Sequence, residues 1–405
     1  MFSHRTNWSL EINELTRLTE ERRRRALPVL DLTESNPTRC GFDYDPALLE
    51  DLRNPRALRY EPDARGLREG REAVTRYYAE RGAALDPAQI FLTASTSEAY
   101  SFLFRLLANP GDEVLVPRPG YPLLAFLTQL NDLDALRYPL VYEDGWRIDQ
   151  AALASAITSR TRAILAVHPN NPTGSYVHQD DVEALVTLCE RHDLALISDE
   201  VFWDYSHPGA CAARAPSFAG EKRILSFALS GISKISALPQ MKCAWIVVTG
   251  PERLVIAAIA RLELIADTYL SVSTPVAWAL PRLMDFRTAI QPQIRQRLRE
   301  NLRELDALLE SAAPGGSNAA DASMVRLAIE GGWYAILRLP SILSDEGWAL
   351  RLLREDGVLV HPGHFYDFDA DGHVVVSLLP RTELFREGVR KIVDRTVRVV
   401  AAFSA

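Results

Sequence analysis

Cysteine is scarce in this chain. The 405 residues hold four, Cys40, Cys189, Cys211 and Cys243, with none of the close pairing that a zinc or dithiol site needs. Their spacing excludes a disulfide framework, gives no reason to expect a metal, and suits a reducing compartment, so a cytoplasmic location is expected. Positive charge is not in excess either. A formal net charge of -8 and an isoelectric point near 5.6 leave no overall basic field to grip a phosphate backbone, so nucleic acid is not an expected partner. Long apolar runs are also missing. No stretch is long enough to span a bilayer, and Met1 to Leu10 carries His4, Arg5, Asn7 and Trp8 where a secretory signal needs an apolar core, so no membrane partner is expected.

What the chain does have is bulk. With 47% hydrophobic residues it can bury a large core, divided between two domains that share an interface. From about residue 88 to residue 250, short apolar β-rich runs alternate with amphipathic helical stretches, the pattern of a parallel sheet with crossover helices. Strands are predicted at Ile90 to Thr93, Glu113 to Val116, Ala163 to Val167, Ala195 to Ser198, Arg223 to Phe227 and Ala244 to Val248. A helical region from Pro281 to Ala312 follows and breaks at Ala313-Pro314-Gly315-Gly316-Ser317. Beyond it lies a smaller α/β unit with strands near Trp333 to Leu339, Val358 to Val360 and Val374 to Leu378, closed by a helix from Glu383. The run Arg22 to Arg25 reads as a solvated helix face.

The chemistry concentrates in loops after the predicted strands, where open α/β sheets bind ligands. Lys234, in Ser230-Gly231-Ile232-Ser233-Lys234, has an amine that can form an imine with an aldehyde cofactor and then shuttle a proton; a lone lysine is otherwise an exposed loop residue. Asp199 ends the apolar strand before Glu200, where a carboxylate is costly to bury without a cation beside it; its plainer role is a strand-end cap. Asn171 precedes Pro172-Thr173-Gly174, a turn that can aim its amide into the crevice at the sheet edge. Ser95-Thr96-Ser97-Glu98-Ala99 lies between a strand and a helical run, so free N–H groups and hydroxyls face an anion there, or serve only as a helix cap.

Taken in chain order, these motifs resemble the class I/II aminotransferases, pyridoxal-phosphate enzymes of the aspartate-aminotransferase fold, over nearly the whole length. The resemblance implies fold type I of the PLP-dependent transferases: an α/β large domain with a mostly parallel seven-stranded sheet, plus a smaller α/β domain. It implies an N-terminal segment at 1–45 packing with the small domain, the large domain at 46–284 and the small one at 285–405. Lys234 becomes the imine former and catalytic base. Asp199 faces the ring nitrogen, Asn171 the phenolic oxygen and Tyr121 the ring face, while Thr96, Ser97 and Lys242 take the phosphate. Tyr60, in Tyr60-Glu61-Pro62-Asp63-Ala64-Arg65-Gly66, matches a tyrosine that reaches the phosphate of a neighbouring subunit, which implies a homodimer with shared sites.

Departures from the pattern fall on both the cofactor and the substrate side, the larger one at the substrate carboxylate. Ser95 stands where a glycine is usual, Lys242 where an arginine pairs the phosphate, and Phe202 where a tyrosine bonds the phenolic oxygen. Val375, in Gly372-His373-Val374-Val375-Val376-Ser377-Leu378, occupies the position of the arginine that clamps a substrate carboxylate. Arg381, His364 or His373 could supply the cation instead. Ser35, Trp333 and His364 match positions bordering the substrate. The expected activity is transfer of an amino group between an amino acid and a 2-oxo acid. Decarboxylation, elimination, replacement or oxidation on the same cofactor is the alternative that Val375 raises. A regulator of the same fold is a third reading, opposed by Lys234 and by a segment before Tyr60 too short for a DNA-binding domain.

Overall fold

Along the run Ala163 to Val167, Ala163, Leu165 and Val167 enter one hydrophobic cluster while Ile164 and Ala166 enter another. That period of two buries a strand on both faces and demands helices above and below the sheet. The computed structural model, which describes residues 1–209, 214–312 and 324–403, has this layering. Cys211 and the predicted break at 313–317 lie outside the described residues.

In chain order the strands are β1 (Leu30–Asp31), β2 (Ile90–Thr93), β3 (Glu113–Arg118), β4 (Asp134–Tyr142), β5 (Trp146–Ile148), β6 (Thr161–Val167), β7 (Ala195–Asp199), β8 (Ser226–Gly231), β9 (Ala244–Thr249), β10 (Val325–Arg326), β11 (Tyr334–Arg338), β12 (Val358–Leu359), β13 (His361–Pro362) and β14 (His373–Ser377). The large sheet runs β2-β9-β8-β7-β6-β3-β4-β5. Its centre, from β8 through β4, is parallel, whereas β9 and β5 pair antiparallel with their neighbours. The sheet therefore has eight strands, one more than the seven expected. The extra one is an edge hairpin strand following Asp144-Gly145, with Asp144 at φ +56°, a turn pair suited to a tight hairpin.

Helices Thr96–Leu107 and Glu252–Asp267 cover one face of the sheet. Gln179–His192, Arg68–Ala79 and Thr274–Asp285 cover the other. The long helix predicted from Pro281 is two, Thr274–Asp285 and Arg287–Ala312, because they serve different cores. Leu280 and Leu283 pack on the large sheet, while Ile290, Ile294 and Leu298 pack on the small one. Phe286, between them, touches both cores and lies 5.8 Å from the Tyr44 ring.

The smaller sheet, β10-β11-β14-β13, is antiparallel. It packs on the helices Arg287–Ala312 and Thr382–Phe403. The predicted strand at Val358 exists but pairs parallel with β1, so Leu30 and Asp31 of the N-terminal segment are tied to this half.

Candidate active site

Asp199 is the last residue of β7, and Lys234 lies three residues past the end of the neighbouring β8. Adjacent parallel strands thus deliver an acid and an amine to the same end of the sheet. Both line a cavity of about 330 Å³ with Ser35, Ser95, Thr96, Ser97, Tyr121, Val167, Asn171, Val201, Phe202, Gly231, Ser233, Ala244 and Tyr334. The volume suits a small cofactor with its substrate.

Lys234 belongs to a single helical turn, Ile232–Ile235, whose carbonyl at Lys234 accepts a hydrogen bond from the Tyr205 hydroxyl at 2.7 Å. Its Nζ lies 4.6 Å from the ring centre of Trp333 and 5.1 Å from that of Phe202. Burial pulls the amine down to about 8, against the opposing pull of Asp199. Burial likewise holds the Asp199 carboxyl above the usual range, countered by the Tyr100 hydroxyl, the Val201 N–H and Lys234. The Tyr100 hydroxyl donates to Asp199 Oδ2 at 2.7 Å, and the Val201 N–H donates to Oδ1 at 3.1 Å. Tyr121 is pushed up to about 12 by burial and by Asp199, so it is a neutral phenol.

At the head of the helix Thr96–Leu107, Ser95 is the N-cap, its Oγ accepting from the Glu98 N–H at 3.2 Å. The Glu98 carboxylate is occupied by the Ala94 N–H at 2.7 Å and the Ser271 hydroxyl at 2.5 Å. This leaves the first N–H groups of the helix, beside the Thr96 and Ser97 hydroxyls, without intrahelical acceptors at the cavity wall. Asn171 lines the same cavity, and its amide oxygen is buried without a partner. The turn behind it depends on Gly174, which has φ +69° and where an added Cβ would stand 2.4 Å from the Gly331 carbonyl. Only glycine allows that approach between the two halves of the molecule.

Of the sequence-predicted residues, Lys234, Asp199, Asn171, Tyr121, Thr96, Ser97 and Ser35 converge on the cavity. Trp333 lies just behind the wall, fully buried, with its ring toward the amine and its indole N–H unpartnered. Three residues lie elsewhere. Tyr60 is 79% exposed, in a separate groove with Leu67 and Leu270. Lys242 is exposed, with φ +50° after a short turn. His364 is exposed and packs edge-on to Phe365.

Val375 is fully buried on β14, paired with Ile336 and His361. It shares a sheet face with Ser377, whose partner Tyr334 reaches the cavity. The cations that could replace an arginine are placed away from it. Arg381 is exposed and packs against Gly41, and His373 stacks on Phe368 with its Nδ1 bonded to the Ala370 carbonyl. Among the described residues lining the cavity, Lys234 is the one cation.

Sequence reasoning missed Tyr100 and Tyr334. Tyr100 had a readable signal: it follows Thr96 by four residues and so shares its helix face. Tyr334 follows Trp333 and lines the cavity with Ser35.

The chain matches the family model "Aminotransferase class I and II" over residues 43–392. It is 26% identical to the glutamate-pyruvate aminotransferase AlaA of Haemophilus influenzae, covering 94% of this chain and 92% of that one. It is 29% identical to an alanine aminotransferase of Mycobacterium bovis, covering 87% and 82%. Among solved structures, an aminotransferase from Escherichia coli superposes with a TM-score of 0.84 at 25% identity over 98% of both chains. The alanine aminotransferase from Pyrococcus furiosus superposes with a TM-score of 0.85 at 22% identity, covering 98% of this chain and all of that one. With its motifs on one cavity and the family match spanning most of its length, the chain belongs to the class I and II aminotransferases, enzymes that depend on pyridoxal phosphate.

Proposed function

We propose that this cavity holds pyridoxal phosphate and that the protein moves an amino group between an amino acid with a small or apolar side chain and a 2-oxo acid. One observation carries the reading: a buried amine, its proton affinity lowered by burial, and a buried carboxylate line one cavity of cofactor size. The residues fit the cofactor. The open helix N-terminus with Thr96 and Ser97 suits a phosphate. The amide oxygen of Asn171, buried without a partner, could accept from a hydroxyl on the ring, and its NH2 could donate to the same oxygen. When bound, the cofactor supplies an aldehyde that condenses with amines and a ring that takes up an electron pair from the substrate carbon.

The rest is the work of this chain. Lys234 Nζ is the group that would hold the aldehyde carbon and, when free, would carry the proton at the donor's α-carbon. Asp199 would hold the ring nitrogen in its protonated form, and Tyr121 would cover the ring. Ser35, Val201, Phe202 and Tyr334 remain for the substrate, a neutral wall that favours an alanine-like or apolar side chain over an acidic one. Alanine appears in the names of several relatives. Exposed Tyr60 suits a homodimer in which it completes the partner's site. The buried free thiols of Cys40, Cys189 and Cys243 suit a cytoplasmic enzyme. No described helix is long and apolar enough to cross a membrane.

The test is absorbance of the cofactor-loaded protein before and after mixing with alanine and other amino acids. A bleached cofactor band restored by a 2-oxo acid supports amino transfer. A second reading, non-transaminating chemistry, is favoured by the buried Val375, and it predicts release of ammonia or carbon dioxide with the band unchanged.

A further inference from the structure

The helix Thr96–Leu107 does two things at the cavity. Its first turn presents Thr96 and Ser97 to the wall, and one turn further on Tyr100 donates to Asp199 Oδ2 at 2.7 Å. Tyr100 is 1% exposed and its ring packs against Phe104 at 5.9 Å, so the phenol has little freedom. The groups facing Asp199 are Tyr100 from this helix, Tyr121 from the loop after β3, Lys234 from the turn after β8, and Glu200 next in the chain. Lys234 is the only cation of the four, and its charge is absent whenever the amine is neutral. Under that condition the Tyr100 hydroxyl and the Val201 N–H are what remain to hold the carboxylate ionised.

We propose that Tyr100 is a positioning residue for Asp199, fixing the orientation of the carboxylate and keeping it ionised so that it can hold a protonated ring nitrogen. The proposal rests on the cofactor reading above. By mounting this donor on the helix whose N-terminus would take the phosphate, the fold would couple the two anchoring ends of the cofactor through one rigid element. Burial raises the proton affinity of Asp199, and the phenol is the strongest of the groups opposing that rise. Without the phenol the carboxylate takes up a proton more readily and binds the ring nitrogen less well in acid.

The experiment is a titration of the full-length protein with pyridoxal phosphate, followed by absorbance across a range of pH. It compares wild type, Tyr100→Phe, Asp199→Asn and the double variant. Tyr100→Phe keeps the ring and removes one hydroxyl. The double variant leaves no carboxylate at 199 to be stranded, so the comparison survives if the single change unfolds the protein. The expected results are an affinity about tenfold weaker in Tyr100→Phe, the usual weight of a hydrogen bond to a charged group, and an acid limb of the affinity curve moved to higher pH. Adding Tyr100→Phe to Asp199→Asn is expected to change nothing further. Equal losses in both backgrounds, or a lowered melting temperature with affinity and acid limb unmoved, would overturn the proposal and make Tyr100 a core residue. If the wild type forms no cofactor band, the cofactor reading fails as a whole, a result distinct from either of these.

Discussion

The Nζ of Lys234 lies 4.6 Å from the ring centre of Trp333, a tryptophan with no exposed surface. A cation over an aromatic face is stabilised by the ring's quadrupole, so Trp333 favours the ammonium form while burial favours the free amine. Burial prevails, and the amine titrates at about 8. The rate at which the apoprotein captures pyridoxal phosphate is therefore expected to rise through pH about 8 and level off above it, as seen by stopped-flow absorbance. A rate still climbing toward 10.5, the ordinary lysine value, would show an exposed amine.

Trp333→Leu removes the ring face and leaves the lysine buried. The midpoint of that rate profile is expected to fall by about one pH unit or less, the scale of a partly desolvated cation–π contact. A midpoint that rises would mean that the ring's main effect is to exclude water.

Glu200 is buried beside Asp199, accepting from the Ser217 hydroxyl at 2.6 Å, the Phe218 N–H at 2.8 Å and the Ser198 hydroxyl at 3.1 Å. Burial raises its carboxyl from 4.5 to about 7. The folded state thus binds this proton more tightly than the unfolded one. Its contribution to stability is fully present below 4.5 and is lost as pH rises through about 7. Glu200→Gln has no proton to lose. Relative to wild type, the variant is expected to gain stability between about pH 5 and about pH 8, by a few kcal/mol at most. Urea denaturation at both values checks this, and an equal difference between the proteins at the two pH values contradicts it.

Gly174→Ala is expected to cost about 1 to 3 kcal/mol, because the residue combines a left-handed φ with a carbonyl 2.4 Å from the would-be Cβ. It should also weaken cofactor binding, since the turn that carries Asn171 must shift. Urea denaturation and cofactor titration measure the two effects. A variant with unchanged midpoint and affinity would show that the approach of Gly174 to Gly331 is slack.

Much of the fold and site could be read from the chain because the apolar strands and their following loops keep chemistry next to structure. Asp199 ends a buried strand, and Asn171 and Lys234 each follow one within four residues. The strand Asp134–Tyr142 was not legible: it mixes Asp134, Arg137 and Pro139 with apolar residues, and its register follows from pairing with β3 on one side and β5 on the other. The single helix expected from Pro281 failed because a continuous helical pattern does not reveal that its two parts face different cores. Tyr100 shows the limit at the site. Its place on the face of Thr96 follows from helical spacing, but its meeting with Asp199 depends on how that helix crosses the sheet. The positions of Lys242, Tyr60 and His364 depend likewise on tertiary placement, which a local motif does not record.

The chain contains four lysines, Lys222, Lys234, Lys242 and Lys391, so the one that carries the cofactor can be named without ambiguity. The most direct measurement is borohydride reduction of the pyridoxal-phosphate-loaded protein, followed by peptide mapping by mass spectrometry, with and without prior exposure to an amino donor. The phosphopyridoxyl mass is expected on Lys234 alone, and is expected to be lost when donor is added before reduction. Label on Lys222, Lys242 or Lys391, or label on Lys234 that no amino donor displaces, would contradict this assignment.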